Sequence, residues 1–165
     1  MKNIIIGITL LSVSFLQAQS FSGSGDKKVQ VGANFQDNAT GIFASFDYGI
    51  GENLSVGVSS TYALGINTGN GVEKAFDERF DIKARINANI GNVLNIDDAF
   101  DLYPGLNLGI KNFGTHLGAR YFFTDGFGVF TELNVPLAKY NTGKLEPSEK
   151  LHNQFSVNAG VVFNL

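Results

Sequence analysis

The chain has no cysteine, which excludes a disulfide framework, a thiolate metal site and a lipid-anchored N-terminal Cys. Charge is scarce as well: Asp, Glu, Lys and Arg make up 16% of the 165 residues, against roughly 25% in soluble domains. A formal net charge of -3 and a pI near 5.3 leave no basic stripe, so nucleic acid is not an expected partner. No Pro-rich or Ser-rich linker divides the chain, and its length fits one domain. No sequence motif repeats, and beyond the first eighteen residues no stretch has a helical period. What is abundant is glycine, at 20 residues, and phenylalanine, at 15. That is a poor composition for a soluble surface.

Met1 to Ala18 has a basic start at Lys2, an apolar core from Ile4 to Leu16 and a small residue before Gln19. This pattern predicts a secretory signal peptide over residues 1–18, with the mature domain over 19–165. The core is too short for a comfortable membrane span. The competing reading is a buried N-terminal helix, since apolar runs of this length also occur in cores.

From Lys28 onward a side-chain period of two takes over, the signature of strands whose two faces meet different environments. It is cleanest at the end of the chain. There Phe155, Val157, Ala159, Val161, Phe163 and Leu165 share one face, and Ser156, Asn158, Gly160, Val162 and Asn164 share the other. A long apolar edge left free in water would aggregate, so this strand is expected to close a barrel. Turn residues at Asp37 to Ala39, Gly51 to Asn53, Asn112 to Gly114 and Thr124 to Gly126 divide the rest into hairpins. Longer connections are expected at Asn67 to Ala75, Gly91 to Phe100 and Ala138 to Asn153. The count is eight strands: an all-β, eight-stranded antiparallel up-and-down transmembrane β-barrel, eight being the smallest common closed size.

Alternation alone does not say which face is outside. One face is aliphatic in mid-strand, with aromatic residues near strand ends: Phe35, Phe76 and Phe155 on one rim, and Tyr48, Tyr121, Phe123, Phe127 and Phe163 on the other. Two aromatic girdles suit a bilayer. The opposite face is mostly Gly, Ser and Asn, which suits a narrow lumen better than a soluble exterior. Closure of the last strand on the first also satisfies every backbone donor in lipid.

On these residues the chain resembles the small eight-stranded outer-membrane β-barrels of Gram-negative bacteria, the size class of OmpX and the OmpA membrane domain. The row from Phe155 to Leu165 looks like the C-terminal assembly signal of that class, although it ends on Leu rather than the usual Phe. The Ala18-Gln19 junction and the ending Phe163-Asn164-Leu165 look like exported barrels of the Bacteroidetes, some families of which have no assigned function. The resemblance implies location in the cell outer membrane with both termini periplasmic. It implies outer-membrane lipids as partners, and the barrel assembly machinery as a partner through Phe155 to Leu165. No cofactor or metal is implied.

Candidate chemistry is sparse. The inward parity carries Asp47, Asp81, Lys83, Arg85, Lys111, His116, Arg120 and Glu132. A lumen that excludes bulk water must pair such charges, so a structural network is expected of them; ringed charges could instead set ion selectivity in a narrow gated pore. On the sixth and seventh strands, hairpin register makes Arg120 and His116 the diagonal neighbours of Glu132, within reach of long side chains, and predicts a Glu132–Arg120 pair. His152, beside Ser148 and Glu149, is expected to be a solvated loop residue rather than part of a hydrolase or acyltransferase site. Asp97 and Asp98, with Asp101, lack the spacing of a calcium loop and read as a solvated connection. The function expected is a non-enzymatic structural or surface-interaction barrel. A gated pore and a lipid-modifying enzyme stand as alternatives.

Overall fold

The period of two becomes eight antiparallel strands in a computed structural model, which describes residues 19–66, 75–140 and 151–165. They are β1 (Lys27–Gln36), β2 (Ala39–Gly49), β3 (Leu54–Ile66), β4 (Phe80–Ala88), β5 (Phe100–Gly109), β6 (Asn112–Thr124), β7 (Phe127–Lys139) and β8 (Ser156–Asn164). Each pairs with the next, and β8 returns to β1 from Lys28↔Asn164 to Gln36↔Ser156, so the sheet is a closed barrel. Closure abolishes the free edge that the alternation of β8 would otherwise present. The predicted leader over residues 1–18 lies outside the described residues.

Two single-turn helices interrupt the strands where sequence periodicity predicts none: α1 (Phe76–Arg79) before β4 and α2 (Gly91–Leu94) before β5. A single turn leaves no readable 3.6-residue period. Residues 19–26 and the α2 connection lie at the barrel end that also holds the C-terminus, since the Leu165 N–H donates to the Lys27 carbonyl at 3.0 Å. We refer to this as the terminal end. The opposite end carries the β1–β2 turn, with Asn38 at a φ of 59°, a left-handed conformation that Asn tolerates. It also carries α1 and the segment 151–155.

The β4–β5 seam is the weak one. Its ladder runs only from Lys83↔Gly109 to Asn87↔Gly105, whereas β6 and β7 pair from Asn112↔Lys139 to Thr124↔Phe127. Pro104 supplies the reason. The Leu102 carbonyl accepts the Ile90 N–H at 2.8 Å, so the polar groups of Leu102 face β4; Pro104, two residues on, faces the same way with no N–H to donate. Pro104 is in mid-strand, and the ladder stops beside it.

The polarity of the barrel is reversed relative to a soluble one. Outward-facing Val31, Ile42, Val58 and Leu108 are 48%, 54%, 50% and 58% exposed, while inward-facing Asp47, Arg120 and Glu132 are each 1% exposed. Apolar residues inside are few: Phe43, Phe122, Phe130 and Val162 form one cluster, with Ala99 packed against it. At the terminal end Tyr121, Phe123, Phe127 and Phe163 touch in succession, with ring centroids 5.6 to 6.2 Å apart. At the other end Tyr62, Phe76 and Phe80 do the same.

Candidate functional site: the filled lumen

The inward parity of β2, β4, β5, β6 and β7 brings Asp47, Arg85, Asp101, Arg120 and Glu132 into one chain of alternating charge. Arg120 lies 3.8 Å from Asp101 and donates through Nη2 to Asp47 Oδ2. The other oxygen of Asp47 faces Arg85 Nε at 3.2 Å, and Arg85 Nη2 donates to Glu132 Oε2 at 2.7 Å. Glu132 Oε1 accepts from Asn134 at 3.0 Å and Asn158 at 3.3 Å. Charges this deeply buried are tolerable only because each faces an opposite charge. Glu132 and Arg85 are further hydrogen-bonded, Arg85 Nε also donating to Asn87 at 3.1 Å, whereas Arg120 Nε and Nη1 have no hydrogen-bond partner among the described residues.

The predicted Glu132–Arg120 pair is not made. Gly118 does pair with Glu132 and Arg120 with Phe130, as hairpin register requires, although a bulge between Phe122 and Thr124 sets Thr124, not Phe123, opposite Phe127. The space over Gly118 is taken by the ring of Tyr103, and a Cβ at Gly118 would collide with it. Tyr103 therefore stands between the two residues, with Arg120 Cζ 3.8 Å from its centroid and Arg85 Cζ 5.7 Å away. Its hydroxyl accepts from Gln30 at 2.9 Å, and Gln30 accepts from Ser45 at 2.6 Å. In a barrel this narrow, long side chains cross the lumen instead of pairing diagonally on their own sheet.

His116 is buried beside this chain. Its Nδ1 lies 3.3 Å from the Asn107 amide nitrogen and its Nε2 lies 2.8 Å from Asn87 Oδ1. The tautomer with Nε2 donating to Asn87 and Nδ1 accepting from Asn107 satisfies both amides; Arg85 Nη2, which also faces Nε2 at 3.2 Å, then keeps its bond to Glu132. Lys83 and Lys111 stand apart from the central five charges. Lys83 Nζ is 3.6 Å from Asp81, whose carboxylate oxygens have no hydrogen-bond partner among the described residues. Lys111 lies in the β5–β6 turn and donates to the Glu78 carbonyl at 2.6 Å; burial pulls its pKa down, opposed by Asp81, Asp77 and Glu78. Asp81, Lys83, Asn34, Asn158 and His152 border a cavity of about 20 Å³, room for a water molecule.

Both ends of the lumen are covered. At the terminal end Phe21 is buried, Ser20 donates its N–H to Asp98 and its hydroxyl to the Phe100 carbonyl, and Asn92 donates to the Phe21 carbonyl. Asp26 and Lys28 pair beside the Phe21 and Phe122 rings. Asp101, read from sequence as part of a solvated connection, is fully buried and accepts the Gly91 N–H at 3.2 Å. Asp97 instead accepts the Ala99 N–H at 2.8 Å within the exposed connection.

At the far end the expectation for His152 also fails. It is 7% exposed and left-handed at a φ of 63°. Its Nε2 donates to the Arg79 carbonyl at 2.8 Å, its N–H donates to Gln36 at 2.9 Å, and its carbonyl accepts from Asn112 at 2.7 Å. Burial, then the charge of Lys111, pulls its pKa down to about 4. Leu151 beside it packs on Ala39 and Ala63. Ser148 and Glu149 lie outside the described residues. A sequence signal for this packing was Gln36, an amide at the end of the first strand with no predicted partner; Asn112, read as a turn residue, is instead the first residue of β6.

Apolar exterior, ion-paired interior and eight-strand closure define an antiparallel barrel of the transmembrane type. A solved structure described as "De novo design of transmembrane beta-barrels" is similar to it with a TM-score of 0.55 at 11% identity, covering 87% of this chain and 98% of that one. That likeness is one of fold. The chain belongs to a family of unknown function (DUF6646), whose profile matches residues 11–165. No curated protein matches it.

Proposed function

We propose that this protein is a non-enzymatic integral barrel of the outer membrane, with a structural or surface-interaction role and a lumen closed to ions. The observation that carries the reading is the reversed polarity: aliphatic side chains half exposed all round the outside, and Asp47, Arg120 and Glu132 each 1% exposed within. Burying apolar surface in lipid is favourable by roughly 25 cal/mol per Å², and a water-facing barrel would carry the opposite arrangement. Closure to ions is supported by the burial of Arg120 and Tyr103 across mid-lumen, because a channel wide enough for hydrated ions would leave its lining accessible.

In this reading the chain is exported after cleavage near Gln19, both termini are periplasmic, and the end carrying α1 and His152 faces the cell exterior. Outer-membrane lipids cover the barrel, and the β8 row from Phe155 to Leu165 is what the assembly machinery engages. The test uses single cysteines in a chain that has none. At Ile82, Leu108 or Val157 they are expected to react with lipid-phase probes and not with water-soluble ones. Recovery of folded protein without detergent would overturn the membrane reading. Unitary conductance steps in a planar bilayer would replace the closed barrel by a pore, and a lipid-modification product formed by the purified protein would replace it by an enzyme.

A further inference from the structure

We propose that the β4–β5 connection is a lipid-interface anchor, with Val93, Leu94 and Ile96 entering the headgroup region of the leaflet at the terminal end. The inference rests on the membrane reading above and adds a contact that the strands do not supply.

The connection is long for a hairpin, and its two sides differ in chemistry. One side is tied to the floor of the lumen: the Gly91 N–H to Asp101, Asn92 to the Phe21 carbonyl, and the Asp98 carbonyl to Ser20. Ala99 packs on the cluster of Phe43, Phe122, Phe130 and Val162. These bonds hold the backbone in place, so the outer side is presented on a fixed support. That side shows Val93 at 65%, Leu94 at 44% and Ile96 at 68% exposure. Asn95 at a φ of 50° ends α2 and turns the chain between Leu94 and Ile96.

Two further observations select lipid as the occupant. From Asn89 to Ile96 no residue is ionisable, and charge returns only with the exposed Asp97 and Asp98 at the foot of the connection, whereas the other two connections at this end carry Glu52 and Asp125 at their tips. A segment that must stay in water is normally given charge; one that enters the interface is not. The aromatic marking of this end is also incomplete. It runs from Phe100 on β5 through Tyr121, Phe123, Phe127 and Phe163 on β6 to β8, and resumes with Tyr48 on β2 after β1, whose Phe35 is at the opposite end. The aromatic residues of β3 and β4, Tyr62 and Phe80, are at the opposite end. The aliphatic residues of the connection leave from β4, where the ring is open, next to the exposed Ile50 and Leu54 of the β2–β3 turn. Apolar anchoring is thus continuous with the outward face of the barrel, and aliphatic side chains take the place of the missing aromatic ones.

The chain has no tryptophan, so a single introduced one reports its own depth. Ile96→Trp, Val31→Trp in mid-β1 and Glu52→Trp in the β2–β3 turn would be folded into vesicles of phosphatidylcholine brominated either near the headgroup or deep in the acyl chain. Expected for Ile96→Trp is a larger loss of emission to the shallow bromines than to the deep ones, and protection from acrylamide. Val31→Trp should show the deeper preference, and Glu52→Trp should be open to acrylamide. If Ile96→Trp is open to acrylamide and unquenched by lipid while Val31→Trp is quenched, the anchor is wrong and the membrane barrel stands. If Val31→Trp is unquenched, the membrane reading itself fails. Protection of Ile96→Trp from both quenchers means that protein covers it and overturns the lipid assignment; dependence on the protein-to-lipid ratio would identify a second copy as the cover. Val93→Trp repeats the measurement should Ile96→Trp fail to fold.

Discussion

Glu132 shows what a single residue is asked to do in this lumen. Its carboxylate neutralises Arg85, which also faces Asp47, so removing it leaves a guanidinium short of charge in a nearly dry site. Glu132→Ala is expected to cost about 3 to 5 kcal/mol, the usual consequence of breaking a buried pair, read from urea unfolding in detergent micelles. Coupling in double-mutant cycles should be strong between Glu132 and Arg85 and weak between Glu132 and Arg120; the reverse would put Arg120 where Arg85 is. A second expectation concerns Gly118. Its hydrogen lies under the Tyr103 ring, which is itself held against Arg120. Gly118→Ala should therefore destabilise by about 1 to 3 kcal/mol, as overpacking generally does, in the same unfolding measurement. The sequence carried the side of the sheet on which each of these charges lies, because parity is local. It did not carry their partners, because a barrel eight strands round lets Arg85 of β4 reach Glu132 of β7 across the lumen, and no spacing along the chain encodes that distance.

Among the elements, strands were legible and connections were not. β8 reads as a strand from its own alternation, and the hairpin between β6 and β7 even reveals which residues face each other. By contrast, Gly91 to Phe100 reads only as a long turn, since its contacts are with Ser20 and Phe21, seventy residues away in sequence. The segment around His152 is a similar case. Its three bonds to Arg79, Gln36 and Asn112 hold the residue in place, and burial beside the charge of Lys111 favours the neutral imidazole, which still donates through Nε2. With a folded pKa of about 4 against about 6.5 in the unfolded chain, the unfolded state binds the proton more readily. The contribution of this histidine to stability is therefore complete above pH 6.5 and is lost as pH falls from there towards 4, by at most about 3 kcal/mol. His152→Gln keeps an amide able to reach the Arg79 carbonyl but does not titrate. The difference in unfolding free energy between wild type and this variant should shrink or change sign across that interval. A difference independent of pH would mean that the imidazole is already solvated.

Considered as a whole, the molecule is a closed sheet whose interior is nearly solid. Wild-type protein in planar bilayers should show no unitary conductance steps, whereas Tyr103→Ala combined with Arg120→Ala, which removes the two largest fully buried side chains among the described residues, should admit water and raise ion leak. Persistent closure in that variant would assign the barrier to the covered ends rather than to mid-lumen.

The short ladder between β4 and β5 has a consequence of another kind. A chain cut there yields two four-stranded pieces, β1–β4 and β5–β8, which meet again along the full β8–β1 ladder, and the ion pairs cross between them: Asp47 and Arg85 belong to the first, Arg120 and Glu132 to the second. Each half thus offers an acid to the other's base, which makes the charge chain a key for recognising the correct partner half. A polypeptide cut after Asn95 should reassemble from its two fragments in detergent. Fragments bearing Arg85→Glu and Glu132→Arg should each fail with a wild-type counterpart and recover with one another.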